Sequence, residues 1–175
     1  HNYYIHSAVK SKMELKDELL CSIPGIPIGN GKIALSKHSK FRMRINEDKL
    51  STWVEALKDS ELTIGRSIIK LFSPMVDTIK PSKSLTSRIV LFQNGSQLGK
   101  NRPDIILFLA SCYKALEKIG VTASIEVGNI SSFRCKGSNL LGHKVTLTNL
   151  SDEDSIKVQA SGIGSGTHLG CGWFY

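Results

Sequence analysis

The run Gly162-Ile163-Gly164-Ser165-Gly166-Thr167-His168-Leu169-Gly170-Cys171-Gly172 constrains this chain more than any other stretch. It places five glycines within eleven residues, just ahead of the aromatic Trp173-Phe174-Tyr175. Gly162-Ile163-Gly164 and Gly170-Cys171-Gly172 form two Gly-apolar-Gly triplets around a five-residue spacer. Glycine lacks a Cβ, so it reaches positive φ and lets another backbone come close. The run therefore reads either as a tight turn feeding a terminal strand or as a cradle for a phosphate or nucleic-acid backbone. The paired triplets favour the cradle. It is not a Walker loop, because no Gly-Lys-Ser/Thr follows its glycines, and no strand immediately precedes it to open a dinucleotide-binding fold.

Charge points the same way. The formal net charge of the 175 residues is +8, from 23 Lys+Arg against 15 Asp+Glu, which favours a polyanionic partner. Acidic residues gather in expected helices, at Glu14, Asp17 and Glu18, at Glu47, Asp48, Glu55 and Asp59, and at Asp152, Glu153 and Asp154. Between Thr63 and Pro103, by contrast, Arg66, Lys70, Lys80, Lys83, Arg88, Lys100 and Arg102 face a single acid, Asp77. Lys32, Lys37, Lys40, Arg42 and Arg44 make a second basic cluster. Two such regions on an otherwise balanced chain read as a binding surface, with solvated strand faces as the plainer alternative.

Cys21, Cys112, Cys135 and Cys171 are scattered, with no Cys-x-x-Cys pair and no histidine at zinc spacing, so neither a metal site nor a cofactor is expected. Cys112 sits in an apolar helical run and is expected in a core. A reducing, cytoplasmic setting fits this usage. No apolar run approaches the length of a membrane span and the start carries no signal-peptide pattern. The chain opens at His1 without methionine, which leads us to expect further residues upstream.

Periodicity organises the rest. Ile5, Ala8, Val9, Met13, Leu15 and Leu19 predict a helix over 3–20, broken by Ser22-Ile-Pro-Gly-Ile-Pro27. Alternation at Ile33/Leu35 and Phe41/Met43/Ile45 predicts strands with Arg42 and Arg44 on the opposite face. A helix over 47–58 and a strand over Leu62–Phe72 follow. Ser73-Pro74 and Lys80-Pro81 bracket a loop that divides the chain into units 1–80 and 81–175. In the second unit, Ser87–Phe92 is a strand, 93–103 a polar connection and 104–119 a strongly apolar helix. Strands over 121–135 and 142–148, a helix over 152–160 opened by Ser151-Asp-Glu-Asp154, and a last strand complete it.

The order is thus α-β-β-α-β, then β-α-β-β-α-β. The expected fold class is α+β: two tandem ferredoxin-like units with antiparallel sheets, the first unit lacking its opening strand at the N-terminus. Side by side, they predict two four-stranded sheets with helices on one face.

This order, the basic surface and the C-terminal Gly-x-Gly-(five residues)-Gly-x-Gly loop resemble the CRISPR-associated repeat-processing endoribonucleases of the RAMP superfamily, whose units are RRM-like. Gly162 and Gly164 match the first triplet of that pattern, Gly170 and Gly172 the second, and Gly166 is extra. Leu150–Gln159 resembles the helix that these proteins place before their loop. Ser39-Lys40-Phe41-Arg42-Met43-Arg44-Ile45 and the Leu85–Leu91 strand are similar to corresponding stretches. The resemblance implies metal-independent RNA cleavage at the base of a repeat, with the 2′-hydroxyl attacking the adjacent phosphate to leave a cyclic phosphate. Its implied partners are CRISPR repeat RNA (a stem-loop), the mature guide RNA and other effector-complex subunits, with no membrane.

Such a reaction needs a base, an acid and positive charge near the phosphorane. The resemblance places a histidine in or near the first helix, sometimes with a tyrosine. Here the stretch is His1-Asn2-Tyr3-Tyr4-Ile5-His6, and Tyr3 and His6 are neighbours on one helical face. His6 is the favoured proton-transfer residue, His1 its competitor, and Tyr3 orients the phosphate or shares the proton transfer. Expected RNA contacts are the loop residues Gly162, Gly164, Gly166, His168, Gly170 and Gly172, together with Lys37, His38, Lys40, Arg42, Arg44, Arg66, Lys83 and Arg88. Phosphate contacts of this kind position RNA without reading its bases. His168 is read as a base-stacking or phosphate-donating group, or as the polar tip of the loop, and His143 as structural. Two other accounts stay open: a non-catalytic RAMP subunit that caps a guide RNA, and an unrelated ferredoxin-like module with a structural glycine loop.

Overall fold

The computed structural model describes residues 2–14, 18–21, 23–30, 32–36, 38–72, 74–92, 104–135 and 138–175. Among the described residues four α-helices combine with antiparallel strands, so the mixed α+β class holds. His1, Lys37, the connection 93–103 with Lys100 and Arg102, and Lys136-Gly137 lie outside the described residues.

The C-terminal half follows its local signals closely. Strand β7 (Ser84–Val90) leads to helix α3 (Ile105–Lys118), the hairpin β8 (Ser124–Cys135) and β9 (Ser138–Thr148), and helix α4 (Asp152–Ser161). The Asp104 carboxylate caps α3 by accepting from the Ile106 and Leu107 N–H groups at 2.8 and 3.3 Å. The Ser151 hydroxyl caps α4 by accepting from the Asp154 N–H at 3.0 Å. Each satisfies backbone donors that a helix start leaves unpaired. Phe108, Cys112 and Leu116 recur every fourth residue, so α3 buries one stripe.

Strand β9 lies between β7 and β8, antiparallel to both. The chain end joins the free side of β7, where Thr86 and Tyr175 exchange backbone hydrogen bonds at 3.0 and 3.1 Å. Ser87 and Phe174 form a bridge there. The half therefore runs β-α-β-β-α-β, the connectivity of a ferredoxin-like unit. Leu85, Val145, Leu147, Val158, Ile163 and Phe174 close its core against the α3 stripe. Cys112 is fully buried, and burial pushes its thiol pKa up to about 12, in keeping with a core position. His143 is buried in β9 as a structural residue, its Nδ1 3.0 Å from the Gly128 carbonyl and its ring against Phe108.

The N-terminal half keeps part of the expected strands around Ile33 and Met43 and departs from the expectation elsewhere. Helix α1 is Asn2–Lys10, shorter than the expected 3–20. Leu19–Leu20 (β1) instead pairs with Met43–Arg44 (β4). Ile26–Gly29 (β2), read as a helix-breaking loop, pairs with Lys32–Ala34 (β3) in an exposed hairpin. Helix α2 (Leu50–Leu57) follows a single 3-10 turn at Glu47–Lys49. The strand expected over Leu62–Phe72 is a hairpin, β5 (Glu61–Ile64) and β6 (Ser67–Lys70), because Gly65 takes a φ of 63° and reverses the chain. Among the described residues this half therefore holds three two-stranded sheets and not one four-stranded sheet. Ile5, Ala8 and Val9 of α1 pack on Leu20, Ile23, Trp53, Leu57 and Leu62.

Candidate active site between the first helix and the glycine loop

The glycine loop begins where α4 stops. Gly162, at φ 62°, ends the helix while its N–H still reaches the Val158 carbonyl at 2.8 Å. From there the loop is stitched to the end of β7: the Ser165 N–H donates to the Leu91 carbonyl, and the Gly172 N–H to the Ile89 carbonyl, each at 2.7 Å. The two triplets also meet one another. A Cβ on Gly162 would stand 2.7 Å from the Gly172 carbonyl oxygen, and one on Gly172 would overlap the Ile163 carbonyl. A Cβ on Gly164 would overlap the Leu91 carbonyl. The close approach that requires glycine at 162, 164 and 172 is thus protein backbone on protein backbone, and Gly162 and Gly172 are buried.

The spacer is one 3-10 turn, Thr167–Leu169, held between Gly166 and Gly170 in left-handed conformations. The Leu169 and Cys171 N–H groups both donate to the Gly166 carbonyl, at 2.8 and 3.1 Å, and both side chains are buried. The turn is therefore rigid, with His168 on its outer side and Gly166 and Gly170 half-exposed.

Helix α1 supplies the facing residue. With Ile5, Ala8 and Val9 turned into the core, His6 stands half-buried at the helix edge, and Tyr3 is half-buried one turn before it. The His6 and His168 rings meet at 4.8 Å between centroids, inclined by 59°. The His6 pKa is lowered from 6.5, first by burial and then by the charges of His168 and Lys10. Burial lowers that of His168. Two imidazoles separated by 162 positions in sequence thus share one seam.

Arg44 fixes the two halves at this seam. Its guanidinium donates to the Gln159 and Phe174 carbonyls, each at 2.6 Å, and lies 4.0 Å over the Trp173 ring. Burial depresses its pKa to about 10. It is a clamp on the helix-loop junction, where sequence had pointed to a phosphate contact. Nothing in the spacing announced this, because both acceptors are main-chain atoms more than a hundred residues away.

The remaining expected contacts spread over the surface. Arg42, Lys40, Arg66 and Arg88 are exposed, Arg66 at the tip of the β5–β6 hairpin. Lys83 is exposed and paired with Asp152 at 2.9 Å. His38 is exposed in a turn whose N–H donates to the Ser36 hydroxyl at 3.2 Å. Among the described residues no group of three His, Cys, Asp or Glu is placed to hold a metal ion, and no helix is long and apolar enough to cross a membrane.

Comparison with known proteins accords with this arrangement. The family described as Cas6 Crispr matches residues 1–175. The chain belongs to the Cas6 family. It is 29% identical over 178 residues to the CRISPR-associated endonuclease Cas6 of Myxococcus xanthus (strain DK1622), covering 99% of this chain and 74% of that protein. In fold it is similar to a RAMP protein binding different RNA substrates, with TM-score 0.68 at 18% identity over 99% of this chain and 90% of the other. A Cas6-related protein from Pyrococcus furiosus superposes with TM-score 0.60 at 15% identity, covering 99% and 89% of the two chains. Membership of the Cas6 family excludes the unrelated ferredoxin-like module.

Proposed function

We propose that the protein cleaves CRISPR precursor RNA within its repeats, without a metal, by attack of a 2′-hydroxyl on the adjacent phosphate. The observation that carries this reading is the His6 imidazole, held half-buried by α1 against the glycine loop with its pKa lowered. A neutral imidazole near pH 7 accepts a proton, and 2′-hydroxyl attack requires a group that does so. Tyr3, one helical turn away, orients the scissile phosphate or shares the proton transfer. His1 is proposed as the competing proton-transfer group. The name of the Myxococcus relative, an endonuclease, supports the activity.

Exposed Lys40, Arg42, Arg66, Lys83, Arg88 and His38 supply phosphate contacts, with Gly166 and Gly170 offering half-exposed backbone, and Lys37 is proposed as a further phosphate contact. The RNA is a repeat stem-loop, read chiefly through its A-form shape and a few base edges near the cut. The protein stays with its product as a subunit of an effector complex. We place the division into two ferredoxin-like units near residue 80.

The test is cleavage of the repeat RNA encoded beside the gene by the full natural chain in EDTA, where cutting is expected to persist and to yield a 2′,3′-cyclic phosphate. A 2′-deoxy residue at the cut should block cleavage and leave binding intact. His6→Ala is expected to slow the single-turnover step on the order of a hundredfold. Loss of cutting in EDTA overturns the mechanism. Binding of repeat RNA with no cleavage under any condition makes the protein a guide-capping subunit instead.

A further inference from the structure

We infer that His168 is the second proton-transfer group of this site, protonating the departing 5′ oxygen while His6 removes the 2′ proton. The inference deepens the reading above and rests on it. Its ground is the juxtaposition of the two rings at 4.8 Å, one on the opening helix and one on the glycine loop. In-line displacement at phosphorus has an attacking and a leaving oxygen on opposite sides of the phosphorus. Two imidazoles whose ring centroids are 4.8 Å apart stand close enough to act on one phosphate.

Position in the fold supports a chemical role over that of a loose polar tip. The Thr167–Leu169 turn is fixed at both ends by backbone bonds to the Gly166 and Thr167 carbonyls, and flanking Leu169 and Cys171 are buried. His168 is thus presented from a rigid base, as a reacting group must be. It is also the more exposed of the pair, so a proton it gives up is replaced from solvent. The roles divide by environment. His6 has its charged form opposed by burial, by His168 and by Lys10, whereas for His168 burial alone is the cause. Charge on His168 is among the causes that oppose protonation of His6, so a proton held by His168 keeps its neighbour neutral as a base.

The step balances as follows. The 2′ O–H proton passes to neutral His6 as the 2′ oxygen bonds to phosphorus. The bond from phosphorus to the 5′ oxygen breaks, its electron pair stays on that oxygen, and the oxygen takes the proton carried by His168. The pair holds one proton before and one after, and the products are a 2′,3′-cyclic phosphate and a 5′-hydroxyl.

The experiment uses the full natural chain and two repeat RNAs, one unmodified and one whose scissile 5′ oxygen is replaced by sulfur, a leaving group that needs no acid. His168→Ala and His168→Gln are compared with His6→Ala in single-turnover cleavage, with RNA affinity and thermal melting measured alongside. The expected result is that both His168 variants melt and bind like wild type and cut unmodified RNA on the order of a hundredfold more slowly. They should regain most of that loss on the sulfur substrate, while His6→Ala stays slow on both. Wild-type rates in the His168 variants, or equal slowing on both substrates, overturn the assignment and leave the proposed function standing. A wild-type chain that binds both RNAs and cuts neither overturns the two together.

Discussion

The two halves of this molecule build their cores by different means. In the C-terminal half, β8 and β9 pair through ten register positions, and side chains cap both helices. In the N-terminal half, β1 and β4 pair through only two positions, and α2 starts without a side-chain cap. Propensity, caps and ladders agree with one another in the former, so each local choice reinforces the fold. The latter depends on tertiary packing of α1, Trp53 and Leu62, and on the Arg44 clamp that ties it to its neighbour. The proposed chemistry sits where the self-sufficient half meets the dependent one. The loop comes from one side and the His6 helix from the other, so the proposed site exists only if both are in place.

Three substitutions sharpen that contrast, and the largest effect belongs to the loop. Gly172→Val sets a Cβ into the Ile163 carbonyl and a β-branched residue at φ 64°. Overpacking and the left-handed backbone together are expected to cost about 2–4 kcal/mol. Denaturant unfolding followed by the fluorescence of Trp53 and Trp173 checks this, and a loss below that range would mean that the triplets are not locked together.

Arg44→Met comes next. It leaves the Gln159 and Phe174 carbonyls without their charged donor, a change of about 1.5–3 kcal/mol. The expected signature is loss of cooperativity, with the N-terminal half unfolding at lower denaturant, together with a slower cleavage step because His6 no longer stands against His168. Arg44→Lys should recover little, since an ammonium cannot span two carbonyls as a guanidinium fork does. A single sharp transition in Arg44→Met would show that packing alone joins the halves.

Smallest is Asp104→Ala, which removes the α3 cap and is expected to cost about 1 kcal/mol. Because α3 packs into the core of its own half, cleavage per folded molecule should be unchanged. A matching fall in cleavage rate would break the separation between C-terminal stability and the seam.

Legibility in the sequence followed the same divide. The apolar periodicity over 104–119 and the Ser151-Asp-Glu-Asp154 start predict α3 and α4 to within a residue or so, because caps and stripes are written within one or two turns. The glycine triplets mark the loop correctly, yet the reason for three of their glycines is contact within the protein, which spacing does not express. Residues 3–20 illustrate the opposite case. Their spacing is helical throughout, but Leu19 and Leu20 gain more by pairing with β4 under α1 than by extending it, and that alternative depends on residues more than twenty positions on.

From its amino acids alone, then, this chain declares a mixed helix-and-sheet molecule with a basic surface, a histidine in its opening helix and a glycine-rich bend before its end. These follow from interactions between near neighbours, whose energies depend on residue type and short spacing. That His6 meets His168, and that Arg44 donates to two main-chain carbonyls, was decided only by folding. Both contacts join residues more than a hundred positions apart, and such contacts arise from how the two halves pack and leave no local pattern behind.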